Sequence, residues 1–177
     1  MTVVLGLAYP LLLAGFALVV PARARGSLVT DGSGAVVGSR LLGQEVEGDA
    51  WFHPRPSVGG YDPLASGGSN LGPNSPDLLA AVEGRRAAVA ARESVDPAAV
   101  PADAVTASAS GLDPDISPEY ARLQVARVAR ERGLPVADVE ALVEHHVAGR
   151  TLGFIGAPSV NVLELNLALA AADTPEG

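Results

Sequence analysis

Residues Trp51–Pro76 read WFHPRPSVGGYDPLASGGSNLGPNSP and hold five prolines, five glycines and three of the seven aromatic residues. Pro and Gly at that density exclude a regular helix or strand. A disordered linker, in turn, lacks aromatics because it has no core to anchor them in. The stretch is therefore expected to be an ordered, irregular loop pinned by Trp51, Phe52 and Tyr61. Long ordered loops in a compact domain commonly carry function.

The rest of the chain is organised around that loop. It ends at Ser75-Pro76, an N-cap followed by Pro at the first helical position. Leu78, Leu79, Val82, Arg86 and Val89 follow at helical spacing, which predicts a helix to about Arg92. The Ser-Pro signal recurs at Ser117-Pro118 and opens a second helix that Gly133 stops. Its apolar stripe is Ala121, Val125, Val128 and Ala129, with Tyr120, Gln124, Arg127 and Glu131 on the adjacent face. A third helix starts near Pro135, turns Val136, Val139, Leu142, Val143 and Val147 inward, and closes at Gly149. Asn161 is placed to cap a short apolar helix within Ser159–Ala172, where a strand is the alternative. Ahead of the loop, Ala35–Val37 and Arg40–Leu42 read as strand pieces between Gly-Ser turns, and Glu93–Ile116 reads as loop.

The first 22 residues carry no charged side chain, and Val3–Val20 reads VVLGLAYPLLLAGFALVV. As one helix that run spans roughly 27 Å at ~1.5 Å per residue, close to a ~30 Å hydrocarbon core. Pro10 is acceptable there, because membrane helices tolerate Pro better than soluble ones. The expectation is a transmembrane anchor over residues 1–22 and a soluble accessory domain over residues 23–177. The competing reading is a signal peptide cleaved after Ala24, since Ala22-Arg23-Ala24 has the small-x-small form. Against it, the apolar run is long and no basic segment precedes it. Arg23 and Arg25 follow the run, which by the positive-inside rule places the C-terminal domain in the cytoplasm.

Composition closes off several chemistries. At 177 residues and 48% hydrophobic, the chain has material for one modest core. It has no cysteine, so neither a disulfide nor a thiolate metal site can form. All 12 basic residues are Arg, which removes Schiff-base lysines and the phosphate-loop lysine. A net charge of −8 argues against an overall nucleic-acid-binding surface.

The remaining candidates are weak as catalysts. His145 and His146 are adjacent, and on a helix adjacent side chains diverge by about 100°, so no metal site is expected from them. His53, Asp113 and Ser108 or Ser110 could be assembled into a hydrolase trio, but no G-x-S-x-G elbow accompanies them. The Ser66-Gly67-Gly68-Ser69-Asn70 turn offers exposed amides that could cradle an anion, while its glycines could equally serve only the turn. Gln124 sits beside an apolar stripe, where an amide needs a partner, either a loop of its own chain or a ligand.

Taken together, these residues match a known pattern. Leu7–Pro10, Gly26–Leu28, Gly38–Gln44 and Trp51–Ser57 occur in one order with Ser66–Pro76, Thr106–Pro118, Gln124–Ala129 and Val160–Leu169. In these motifs and their spacing the chain resembles the KdpC family, a subunit of the Kdp-type, high-affinity potassium-transporting P-type ATPase, over nearly its whole length. The resemblance implies a non-catalytic subunit with one membrane helix, acting in assembly and as a catalytic chaperone that raises the pump subunit's affinity for ATP. Its implied partners are a channel-like potassium-binding subunit, an ATP-hydrolysing P-type pump subunit and a small peptide subunit, with no nucleic acid. It further implies a single-pass protein of the cell membrane with its soluble domain on the extracytoplasmic side. That placement conflicts with a role toward cytoplasmic ATP, and the sequence leaves the two open. Family members usually begin with a longer, basic-containing segment. Since the basic residues here lie only after the helix, upstream basic residues are expected to have been lost.

These readings combine into one set of expectations. The fold class is α+β, with the N-terminal transmembrane helix followed by one small domain of short strands and three to four helices. Nucleotide contact, with ATP present only in a complex with the pump subunit, falls to Gln124, Ser66, Gly67, Gly68, Ser69 and Asn70. Partner contact falls to Trp51, Phe52, Arg55 and Tyr61; no residue is assigned to catalysis or to a metal. The alternatives are an exported soluble enzyme or binding protein, which a mature chain beginning at Arg25 would favour, and an independent tethered ligand-binding domain.

Overall fold

In a computed structural model residues 1–172 are described, and the chain divides into two units, residues 1–41 and the residues from Leu42 onward.

The first unit opens with a π-helical turn, Val4–Ala8, that runs directly into helix α1, Tyr9–Ala17. Pro10 accounts for the wide turn. It has no N–H to donate and its ring crowds the carbonyl four residues back, so the ladder loosens just before it. The helix does not continue to Val20. Leu18 closes it with a tightened bond from its N–H to the Gly15 carbonyl (3.2 Å), and Val20 leaves the helical region (φ −124°) ahead of Pro21. A residue before proline is driven out of the α region by the proline ring, so a new turn of helix, α2 (Pro21–Ala24), must start afresh. Among the described residues no helix is long and apolar enough to cross a membrane. The helix expected over Val3–Val20 widens to a π turn before Pro10, runs on unbroken to Ala17 and is cut short ahead of Pro21. Strands β1 (Leu28–Thr30) and β2 (Val36–Ser39) then form an antiparallel hairpin. Its turn is held by the Asp31 carboxylate, which accepts from the N–H groups of Ser33 (2.9 Å) and Ala35 (3.0 Å). Arg40–Leu42, expected as a strand piece, lies beyond it.

The second unit mixes helices with short antiparallel strands. Helix α3 covers Pro76–Glu93, and a 3-10 turn at Pro97–Ala99 and one-turn helix α4 (Ala102–Val105) occupy a region expected to be loop. Strand β3 (Asp115–Ile116) leads into helix α5 (Pro118–Arg132), followed by α6 (Val136–His145), β4 (Val147–Ala148), β5 (Ser159–Asn161) and α7 (Val162–Ala172). The sheet order is β3-β5-β4, with Ile116 and Val147 both opposite Val160. Among the described residues of this unit, four longer helices and the single turn of α4 stand where three to four helices were expected.

The helix starts follow the sequence signals. Ser75 Oγ accepts from Leu78 N–H (3.5 Å), Ser117 Oγ from Tyr120 N–H (3.0 Å), and Asn161 Oδ1 from Glu164 N–H (3.1 Å). Gly133 ends α5 in the left-handed conformation, φ 66°. Helix α6 stops at His145 rather than Gly149, because Val147 and Ala148 are taken into the sheet; Val136, expected inward, is exposed.

Helix α5 is the centre of the unit and is buried on two faces rather than one. Its stripe of Ala121, Val125, Val128 and Ala129 packs with Val139 and Val143 of α6 and Leu165 and Leu169 of α7 in one apolar cluster. Fully burying each of the larger of these side chains contributes roughly 1.5–3 kcal/mol. The second face, Tyr120, Gln124 and Arg127, is equally sealed, and it receives the Trp51–Pro56 segment.

Candidate functional site

The Trp51–Pro56 segment belongs to no helix and pairs with no strand. Its backbone is held by side-chain amides instead. Asn166 of α7 brackets Phe52: the Phe52 N–H donates to Asn166 Oδ1 and Asn166 Nδ2 donates to the Phe52 carbonyl, each at 2.9 Å. Gln124 of α5 does the same for His53, accepting from its N–H (2.7 Å) and donating to its carbonyl (3.1 Å). Two successive residues thus have both main-chain groups satisfied by amides on two helices, the pairing a neighbouring strand would otherwise supply. The Phe52 ring, 0% exposed, fills the core below.

Arg127 fixes the same segment from inside. Its side chain is 1% exposed, and its Nε lies 3.0 Å from both carboxylate oxygens of Glu93, at the end of α3. Nη2 donates to Gln124 Oε1 (2.8 Å), and Nη1 donates to the carbonyls of Trp51 (2.9 Å) and Asp49. Because Arg127 only donates, it forces the oxygen of the Gln124 amide toward itself and so sets which way that amide can read His53. Sequence spacing puts Arg127 on an adjacent face but gives no sign of its burial. The signal available is the i, i+4, i+7 spacing of Tyr120, Gln124 and Arg127, a second helical face at the same register as the apolar one.

The loop is tied down at further points. Arg132 donates from Nε to the Ala50 carbonyl (2.7 Å), and its guanidinium stacks 3.9 Å above the Trp51 ring. Arg55 pairs with Asp113 (2.7 Å), and the Tyr61 hydroxyl donates to the Arg55 carbonyl (2.6 Å). The Ser66–Asn70 turn packs on the 108–111 segment, where Gly67 N–H (2.8 Å) and Ser66 Oγ (3.0 Å) both donate to the Ser110 carbonyl. Gly111 is required at that contact: it sits at φ 71°, and a Cβ there would meet the Gly67 carbonyl oxygen at 2.9 Å. Gly43 permits a similar close approach nearby, a Cβ there falling 2.5 Å from the Asp113 carbonyl oxygen.

These placements locate every candidate. Gln124 is 0% exposed, with both amide atoms engaged inside the fold, whereas Ser66, Gly67, Ser69 and Asn70 are exposed and Gly68 is half-buried. Phe52 is core; Trp51, Arg55 and Tyr61 are half-buried and reach the surface. The hydrolase trio does not assemble: His53 Nε2 lies 3.1 Å from the Gly48 carbonyl, Asp113 is paired with Arg55, and the Ser108 and Ser110 hydroxyls meet each other at 3.1 Å. His145 is exposed, while His146 uses Nδ1 against the Leu142 carbonyl (2.8 Å). Among the described residues no group of three or more His, Asp or Glu could hold a metal ion.

Burial, reinforced by the charges of Arg92 and Arg127, holds the His53 imidazole down at about 4, against an ordinary 6.5. Above pH 6.5 the ring is neutral in both the folded and the unfolded chain and contributes nothing to pH dependence. Below it the unfolded chain takes up a proton that the folded chain refuses, so stability falls from pH 6.5 and levels off near pH 4. After discounting for its partial exposure the loss is roughly 1–2 kcal/mol. Urea unfolding at pH 7 and at pH 4.5 is expected to show this loss in the wild type and a smaller one in His53→Gln; equal losses in both would remove His53 as the cause.

Comparison with known proteins bears on what such a unit belongs to. The family model for KdpC, described as K+-transporting ATPase, c chain, matches residues 1–171. Among curated proteins, the potassium-transporting ATPase KdpC subunit of Kineococcus radiotolerans is 61% identical over 170 residues, covering 95% of this chain and 86% of that protein. The KdpC subunit of Beijerinckia indica is 53% identical, covering 96% and 87%, and that of Caulobacter vibrioides is 52% identical, covering 98% and 89%. The chain therefore belongs to the KdpC family, the c chain of potassium-transporting ATPases.

Proposed function

We propose that this chain is a non-catalytic subunit of an ATP-driven potassium import complex, working through assembly and by raising the ATP affinity of the subunit that hydrolyses it. The observation that carries this reading is the use of its polar side chains. His53, Gln124, Arg127 and Asp113, the residues best suited to chemistry, are all engaged in holding the chain's own 49–61 loop in shape. A loop stiffened in that way is suited to presenting a fixed surface to another protein, since little ordering remains to be done on binding.

In this proposal the partners are a channel-like potassium-binding subunit, the P-type pump subunit and a small peptide subunit. Trp51, Arg55 and Tyr61 meet a partner at the surface, and Phe52 supports them from below. Nucleotide approaches the Ser66–Asn70 turn within the complex, and Gln124 serves that site through the loop it holds. The uncharged N-terminal segment, with Leu11, Leu12, Phe16, Leu18 and Val19 all exposed, tethers the chain to the cell membrane as a single pass. The extracytoplasmic placement that the family resemblance implies is the alternative to this nucleotide contact, since ATP is cytoplasmic and only one of the two can hold.

ATPase measurements on the complex purified with and without this chain test the proposal. The complex lacking it is expected to need a higher ATP concentration for half-maximal rate, with the chain restoring the lower value when added back. Identical ATP dependence would remove the chaperone role. A topology reporter fused after Ala172 decides separately whether nucleotide contact is physically open to the domain.

A further inference from the structure

A groove of about 240 Å³ runs between α3 and the loop that α5 holds. One wall is the α3 face carrying Arg85, Ala88, Val89 and Arg92; the other is Pro54, Pro56 and Tyr61, and Tyr120 lies at its floor. Tyr61 is fixed there by its bond to the Arg55 carbonyl and Pro54 by the amide clamp on His53, so the walls are rigid.

The charges in the groove are unbalanced. Arg92 makes no hydrogen bond among the described residues. Its Nε is buried without an acceptor, and the nearest carboxylate, Glu93, stands at 3.6 Å and is already held by Arg127. Arg85 uses Nη1 on the Val105 carbonyl (3.1 Å), and no carboxylate pairs with it among the described residues. Glu45 is the one acidic residue in the lining. On a chain of net charge −8, this is a local cationic trough.

Its geometry selects among anions. Arg85 and Arg92 are two helical turns apart, about 10 Å along the α3 backbone, and Arg85 is tethered to the Val105 carbonyl, so the pair suits two separate anionic groups better than one. That spacing matches three residues of polyproline-II chain at ~3.1 Å each, whose three-residue turn brings both side chains back to the same side. Flat proline and tyrosine walls suit an extended backbone lying between them.

We propose that this groove receives an extended acidic segment of another subunit of the same ATPase, carrying carboxylates three residues apart that pair with Arg85 and Arg92. The inference rests on the subunit reading above and adds to it the place and the chemistry of one contact.

The test uses the assembled complex with a benzophenone amino acid at Ala88, between the two arginines. The expected result is an adduct to one segment of another subunit that carries two Asp or Glu residues three apart. Arg85→Gln/Arg92→Gln is expected to lower the adduct yield roughly tenfold, as loss of two half-exposed ion pairs would, and Arg85→Lys/Arg92→Lys is expected to retain most of it. An adduct to lipid, to nucleotide or to a segment without carboxylates overturns the proposal, as does a yield unchanged by the glutamine pair. Absence of any adduct in a complex that retains the chain also overturns it. Absence of the chain from the purified complex would instead overturn the subunit reading itself.

Discussion

Arg127→Met is expected to lower the stability of this chain by about 3–5 kcal/mol, the usual result of removing one partner of a buried ion pair. The methionine fills much of the space but leaves the Glu93 carboxylate, 1% exposed, without its cation. It also strips the Asp49 and Trp51 carbonyls of their donor and frees the Gln124 amide to turn over. Set against the ~5–15 kcal/mol that holds a typical domain together, the loss is a large share of the whole. Chemical denaturation of the full chain measures it. Adding Glu93→Gln to Arg127→Met is expected to recover some of the loss, since the stranded charge is gone while the two carbonyls still lack a donor. A single mutant with the wild-type midpoint would mean that Glu93 sheds its charge or finds another partner, and that the pair does not hold the fold.

Gln124→Ala and Asn166→Ala form the second large effect. Each removes an amide that satisfies both main-chain groups of one loop residue, and each is expected to cost about 2–4 kcal/mol, the penalty for a buried N–H and C=O left unpartnered. The two clamps act on neighbouring residues of one segment, so once either is gone the other holds a looser strand. The double mutant is therefore expected to lose less than the two single losses added together. Hydrogen exchange at the Phe52 and His53 amides provides the local readout: both should exchange faster in either single mutant. If Gln124→Ala alters only the His53 amide and leaves stability and the Phe52 amide untouched, the segment is not held as a unit.

Much of the second unit is legible from local signals. Ser75, Ser117, Asn161 and Gly133 mark helix ends by chemistry that acts within three or four residues, and the structure obeys each of them. The Trp51–Pro76 stretch is ordered for the reason its composition gives, with Phe52 in the core and Trp51 under Arg132. What escapes the sequence is long-range. Arg127 looks like any surface arginine until Glu93, 34 positions away, is brought against it. Asn166 is inconspicuous in an apolar helix, because its partner lies 114 positions earlier. Hydropathy marks the N-terminal run as one helix to Val20, but it is blind to the π turn before Pro10 and to the break that Pro21 imposes on the backbone. At the candidate site, Tyr61 and Arg55 can be named as surface residues, but the cationic trough beside them depends on α3 lying along the loop, and no spacing rule conveys that.

The amide clamp on Phe52 has a consequence for how the chain is made. Its two halves are separated by most of the domain, so the Phe52 backbone cannot be clamped until α7 has been synthesised and docked. Contacts of such separation form slowly, because the intervening chain must first be ordered. A ribosome releasing this protein from its N-terminus therefore presents residues 51–56, with an unburied Phe52 and unpaired backbone, through most of the domain's synthesis. Truncation between α5 and Asn166 leaves the segment held from the α5 side alone, with the Phe52 main chain unpartnered and more open to proteases than in the finished protein.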